Sequence, residues 1–305
     1  MFSNNHGRAL STLSLLGALA TIGCGTSDPT GSGGSGTISF TTWGEDYVQK
    51  EIPPDSSEET GFVDGWTVKY SKFLVNFQKI QVADAKGNVA AAMDGSMLFD
   101  NHVEGEKSII DFSDVEAKTW QHVSYEIAPV TDDTILSKSA TDEDKQMMID
   151  GGYSFYVDAA ASKDDVVKHY AWGFAIGTRY ERCHSEQDGK DELGVVVTNN
   201  GNVAVQLTTH GDHLYYDRLQ SSPDAAIVTS LRFDTLAAAD KDDDGEITLE
   251  ELAAAALNVK SCSDKPVPCY DPSGLGAATQ GAFVTSLART IGHFRGEGEC
   301  DISEL

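Results

Sequence analysis

Basic residues are scarce in this chain. Its 305 residues include 22 Lys and Arg against 48 Asp and Glu, a formal net charge of −26. A surface of that sign repels nucleic acid and anionic headgroups, so no nucleic-acid partner is expected, and it attracts cations. Catalytic signatures are missing too. There is no G-x-S-x-G elbow, no phosphate-binding P-loop, no dinucleotide fingerprint and no H-E-x-x-H pair. Carboxylates are so abundant that any two could be called a glycosidase pair, which removes that signal's discriminating power. No catalytic residue is assigned, and the chain is expected not to be an enzyme. Cysteines number five, with no C-x-x-C spacing, which argues against a thiolate metal centre. The apolar run at residues 9–22 is too short for a permanent membrane span.

That run reads instead as part of an export signal. Arg8 precedes it, and it ends in Thr21-Ile22-Gly23-Cys24. The stretch resembles a bacterial lipobox, although Leu is commoner where Thr21 stands. The resemblance implies a signal peptide over residues 1–23 and lipidation (palmitate among the acyl chains) of Cys24, anchoring the protein to a membrane of the bacterial cell envelope. Gly25 rather than Asp after the cysteine points to the outer membrane by the same resemblance. Residues 24–36, rich in Gly, Ser and Thr, suit a flexible tether. Four cysteines remain: Cys183, Cys262, Cys269 and Cys300, and four allow three connectivities. Closeness in sequence favours Cys262 with Cys269, leaving Cys183 with Cys300.

Residues 37–222 carry mostly two-residue periodicity. Phe73, Val75 and Phe77 alternate, and Ile80 and Val82 continue after a phase shift that suits a bulge. Val123, Tyr125 and Ile127, then Tyr153, Phe155 and Val157, then Tyr170, Trp172, Phe174 and Ile176, and finally Val203, Val205 and Leu207 repeat the pattern. Turn signals such as Asp94-Gly95 and Asn200-Gly201-Asn202 separate them. The pattern predicts seven to nine antiparallel strands in a β-sandwich domain. From residue 223 to 305 the composition turns Ala-rich and helical. The expected class is therefore α+β, a mostly antiparallel sandwich followed by a helical module, a helix at about residues 277–294 and a flexible tail.

The module contains the sharpest motif in the chain, Asp240-Lys241-Asp242-Asp243-Asp244-Gly245-Glu246-Ile247-Thr248-Leu249-Glu250-Glu251. A calcium ion takes six to eight oxygens at about 2.3–2.6 Å. Asp240, Asp242 and Asp244 stand at alternate positions, Gly245 allows a sharp turn, Glu246 offers a carbonyl, Thr248 a direct or water-bridged ligand, and Glu251 a bidentate carboxylate. The stretch resembles an EF-hand, flanked by helical spacing on both sides. The resemblance implies one calcium site in a helix–loop–helix unit over about residues 230–259. A second loop beginning at Asp271 lacks a cage, since Leu275 and Ala282 fall at ligand positions.

A second candidate lies in His210-Gly211-Asp212-His213, at the end of the last predicted strand, with Asp217 following. A Gly-Asp turn between two imidazoles can aim both at one ion, with His293 as a third ligand. Such a set suits zinc or copper. Ordinary turn histidines bonded to backbone are the alternative. The expected function is that of a calcium-binding envelope lipoprotein in which calcium is mainly structural. The alternatives are a zinc or copper binder using the histidines, and a hydrolase without a recognised motif.

Overall fold

The computed structural model describes residues 33–56, 60–187, 189–219, 229–259, 270–272 and 276–305. The lipobox with Cys24, and the Cys262 and Cys269 pair, lie outside the described residues.

Alternating side chains build two main sheets. The smaller has four strands in the order Gly292–Phe294, Asn202–Thr209, Ser35–Gly44 and Lys107–Glu116. Along Ser35–Gly44, Ile38 and Phe40 point inward and are fully buried, as period-two patterning requires. This strand pairs antiparallel with Lys107–Glu116 but parallel with Asn202–Thr209, so the sandwich is not wholly antiparallel. The larger sheet runs Val166–Phe174, Phe155–Lys163, Thr67–Ala83, His122–Ile127, Thr178–Gln187 and Lys190–Leu193, with further strands at its margins. Residues of both sheets share one apolar core, including Phe40, Phe77, Tyr125, Trp172 and Leu207. The fold is sandwich-like.

Thr67–Ala83 is the spine. Its register against His122–Ile127 shifts between Gln78 and Gln81, where Lys79 takes a left-handed backbone (φ 48°). That bulge is the phase shift between Phe77 and Ile80. Leu74, Val75, Asn76 and Phe77 are all buried, so both faces are covered here. The second cover is a helix, Asp142–Gly151, which sets Met148 against Leu74, Leu98 and Val130. Each such apolar side chain contributes about 1.5–3 kcal/mol by leaving water. Thr141 and Asp144 form a reciprocal capping box at its start, and Gly152 ends it in the left-handed conformation.

The expected helical EF-hand module is not there. The described helices are short, and those beside the loop span only Asp234–Ala237 and Leu249–Ala254. The class is accordingly mostly β rather than α+β with a helical domain. The reason is competition from sheet-like pairing. Ala255 leaves the helix in an extended conformation, Ala256 bridges Thr279, and the Leu257 N–H bonds to the Ala278 carbonyl. Alanine's helix propensity is worth only tenths of a kcal/mol per residue, so these pairings override it. The helix expected near residues 277–294 covers only Gln280–Leu287 before a tight turn and the strand Gly292–Phe294. Nor is the tail free. Glu299–Glu304 pairs antiparallel with Thr178–Gln187, and a Cys183–Cys300 disulfide ties the two strands. Residues from Gly34 to Leu305 form one compact unit. Among the described residues no helix is long and apolar enough to cross a membrane.

Candidate metal centre

Parallel pairing of two strands brings their carboxyl ends together, and the site grows from that edge. In the register Gly44 faces Thr209, so Glu45 and His210 emerge side by side. The Glu45 N–H bonds to the Thr209 carbonyl at 3.1 Å. On the other side, Gly292–Phe294 pairs with Asn202–Thr209 so that His293 faces Thr208, and the His210 N–H bonds to the Ile291 carbonyl at 2.9 Å. The chain then turns through Gly211 into a 3-10 turn, Asp212–Tyr215, which carries His213 back toward the strands. Gly211 is required by space, because a Cβ there would lie 2.7 Å from the Tyr70 ring. The Tyr70 hydroxyl donates to the Gly211 carbonyl at 2.7 Å and fixes the turn.

Three imidazoles converge here. His210, His213 and His293 are 4%, 5% and 3% exposed. Their ring centroids lie 4.0 Å (His210 to His293), 4.8 Å (His213 to His293) and 5.5 Å (His210 to His213) apart. One nitrogen from each falls within 4.8 Å of the others. His213 has a defined tautomer. The Thr290 hydroxyl donates to the Leu287 carbonyl at 2.8 Å, so it accepts from His213 Nδ1–H, also at 2.8 Å. His213 Nε2 is left with its lone pair, 3.2 Å from His293 Nε2. His293 Nδ1 and His210 Nε2 are buried with no hydrogen-bond partner among the described residues. Orphaned buried nitrogens of this kind are costly unless an ion or water takes them up. Burial, then the neighbouring His210, holds His213 down to about 3. Burial, followed by His210 and His213, holds His293 down to about 2. Both rings are therefore neutral near pH 7, the state in which imidazole ligates metal.

Carboxylates adjoin the rings. Glu45 Oε2 lies 3.4 Å from His210 Nδ1, while Glu45 Oε1 accepts from Gly211 N–H at 3.1 Å. The Tyr216 hydroxyl donates to Asp212 Oδ2 at 2.9 Å, and Asp212 Oδ1 is buried without a partner among the described residues. Burial, then the Asp212 charge beside it, pushes the Glu45 carboxyl up to about 10. Two carboxylates held together in this way suit a cation between or beside them. Asp217, which follows the His motif, is not part of the site. It is buried between Arg218 and Arg232.

The acidic loop is a separate place. Asp240, Asp242 and Glu251 bring one oxygen each within 4.8 Å of the others. Gly245 has φ 90° and Asp243 φ 60°, the sharp turn that the motif requires. Asp244 accepts from the Glu246 N–H at 2.8 Å, and Thr248 caps the helix Leu249–Ala254 reciprocally with Glu251. The Asp244 carboxylate is not among the three that converge. Ile247 docks on the sheet edge, its N–H bonding to the His169 carbonyl at 2.8 Å and its carbonyl accepting from Trp172 Nε1 at 2.7 Å. From the same strand Lys168 reaches Asp240 Oδ2 at 2.5 Å, and its ammonium holds the Asp240 carboxyl below the usual carboxylate range.

Sequence reasoning named His210, His213 and His293 but missed Glu45. Only parallel pairing across 160 or so intervening residues brings it in, and no local pattern announces that pairing. Asp212 was visible only as a turn residue. No protein-family model, no curated protein and no solved structure matches the chain.

Proposed function

We propose that the protein binds a divalent transition metal, zinc or copper(II), through His210, His213 and His293. The observation that supports this most is the pair of imidazole Nε2 atoms 3.2 Å apart, one with its lone pair fixed by Thr290, beside a third buried imidazole with an unpartnered nitrogen. Nitrogen donors with adjoining carboxylate oxygens suit a borderline divalent ion better than a soft monovalent one. An entering ion displaces the proton that burial keeps on Glu45, and three neutral imidazoles with Glu45 and Asp212 then ionised carry a formal charge of about −2, which such an ion neutralises. Zinc with three histidine ligands characteristically keeps a further position for water or carboxylate. The test is zinc titration of the purified, chelator-stripped chain by calorimetry, in parallel with a His210→Ala, His213→Ala variant. The reading requires a site lost in the variant; equal zinc binding by both proteins sinks it.

A second reading concerns the loop at residues 240–251. The converging oxygens of Asp240, Asp242 and Glu251 favour a calcium ion there. The ion would staple the loop to the sheet edge as a structural ion, in a protein exported and lipid-anchored at Cys24 to the outer membrane of a bacterial envelope. Calcium at a hundredfold excess over Kd adds about 2.7 kcal/mol of stability. Asp242→Ala, which leaves the Lys168–Asp240 ion pair intact, will then lower the melting temperature in calcium but not in chelator. Equal melting of variant and parent in calcium removes this role.

A further inference from the structure

The donors around His210 do not form one group. They fall into two triads, His210 with His213 and His293, and His210 with Glu45 and Asp212, each with its ligand atoms within 4.8 Å of one another. His210 alone belongs to both. We propose that Glu45, His210 and Asp212 hold a second divalent transition-metal ion, so that the site is a two-metal centre joined through the His210 ring. This rests on the three-histidine reading given above.

The arrangement of each donor favours it. His210 has a nitrogen for each side: Nδ1 lies 3.4 Å from Glu45 Oε2, and Nε2 has no partner among the described residues. Bridging as an imidazolate, the ring passes its one N–H proton to solvent as the second ion enters. Each carboxylate has one oxygen fixed and one available. Gly211 N–H holds Glu45 Oε1 and leaves Oε2 toward His210; the Tyr216 hydroxyl holds Asp212 Oδ2 and leaves Oδ1 either to the Glu45 proton or to an ion in its place. A hydrogen-bonded core would not strand the buried His210 Nε2 beside them.

Charge points the same way. Glu299 lies 3.9 Å from His293, and Glu297 is close enough to Glu45 to act on its charge. With Glu45 and Asp212 these make four carboxylates around three imidazoles. With all four ionised, one divalent ion leaves that assembly at a formal charge of about −2, and two, with His210 as imidazolate, bring it to about −1. Glu45 and Asp212 are only partly buried, so the acidic side is less covered than the three-histidine side.

The test uses the full chain, stripped with chelator and held in saturating calcium so that the acidic loop is occupied. It is titrated with zinc alone and read by native mass spectrometry after gel filtration. Two zinc ions per parent chain, and one in a Glu45→Gln, Asp212→Asn variant, are expected. One zinc ion in the parent overturns the second position and leaves the three-histidine site standing. No zinc overturns both. Parent protein loaded with copper(II) gives a readout that does not depend on the variant folding. Exchange through a shared imidazolate will depress the electron paramagnetic resonance spin count below the copper content, and a full, uncoupled count at two coppers overturns the shared ring.

Discussion

Thr290 shows how much a single residue can decide at this site. By donating to the Leu287 carbonyl it is left only an acceptor toward His213 Nδ1, and that choice turns His213 Nε2 into a lone pair facing His293. Groups that orient a ligating histidine are worth about 10–100-fold in metal affinity. Thr290→Val will therefore weaken zinc binding by about that factor in calorimetry, and Thr290→Ser will restore it. An unchanged affinity in the valine variant would remove Thr290 from the site. Glu126 illustrates a purely structural carboxylate. Burial pulls its carboxyl upward, but Arg179, Gln78 and Lys79 outweigh this and hold it below the ordinary glutamate value of 4.5. A lowered native pKa contributes stability that is present above the unfolded value and lost as pH falls through the folded one. The Arg179→Met variant will be less stable than the parent in urea at neutral pH, and the gap will close as the medium is acidified below about pH 4.5. A gap that persists undiminished in acid would contradict the ion-pair account.

At the scale of elements, the strand Val166–Phe174 holds the acidic loop against the larger sheet. His169 pairs its backbone with Gly245 and Ile247, and Trp172 closes the Ile247 carbonyl. Trp172→Phe leaves that carbonyl buried without its donor, at a cost of about 1–3 kcal/mol before any packing loss. Chemical denaturation checks this, and a loss within experimental scatter would mean the contact is dispensable. These elements also show what could be read in advance. Strands were legible because Phe73, Val75 and Phe77 or Val203, Val205 and Leu207 repeat every second residue, and period two has few other causes. Ligand spacing in residues 240–251 was legible because it is local. The helices around it were misread because Ala253 to Ala256 have helical propensity but little to pack, and the chain instead pairs with Thr279. Asp142–Gly151 escaped notice because it is mostly polar, with Met148 fully buried.

For the whole molecule, closure depends on contacts between residues far apart in sequence, which no local pattern encodes. The Cys183–Cys300 disulfide spans 117 residues and fastens the last strand to the larger sheet. Removing a long-loop bridge costs about 2–5 kcal/mol, so Cys300→Ser will lower stability by that order in urea under oxidising conditions. Parent and variant of equal stability would show that the strand pairing suffices. The same long-range logic assembles the candidate metal centre. Glu45 directly follows the first described strand, His210 and His213 follow the strand parallel to it, and His293 lies in that strand's neighbour near the end of the chain. A cluster built from three distant segments forms only when the sandwich has closed, so metal binding, if it occurs as proposed, will report on the fold as a whole. The most direct measurement is X-ray absorption at the zinc edge of the zinc-loaded protein with calcium in the loop. The account predicts imidazole nitrogens at about 2.0–2.1 Å with the multiple scattering of histidine rings. A first shell of oxygens alone would place the zinc elsewhere and contradict it.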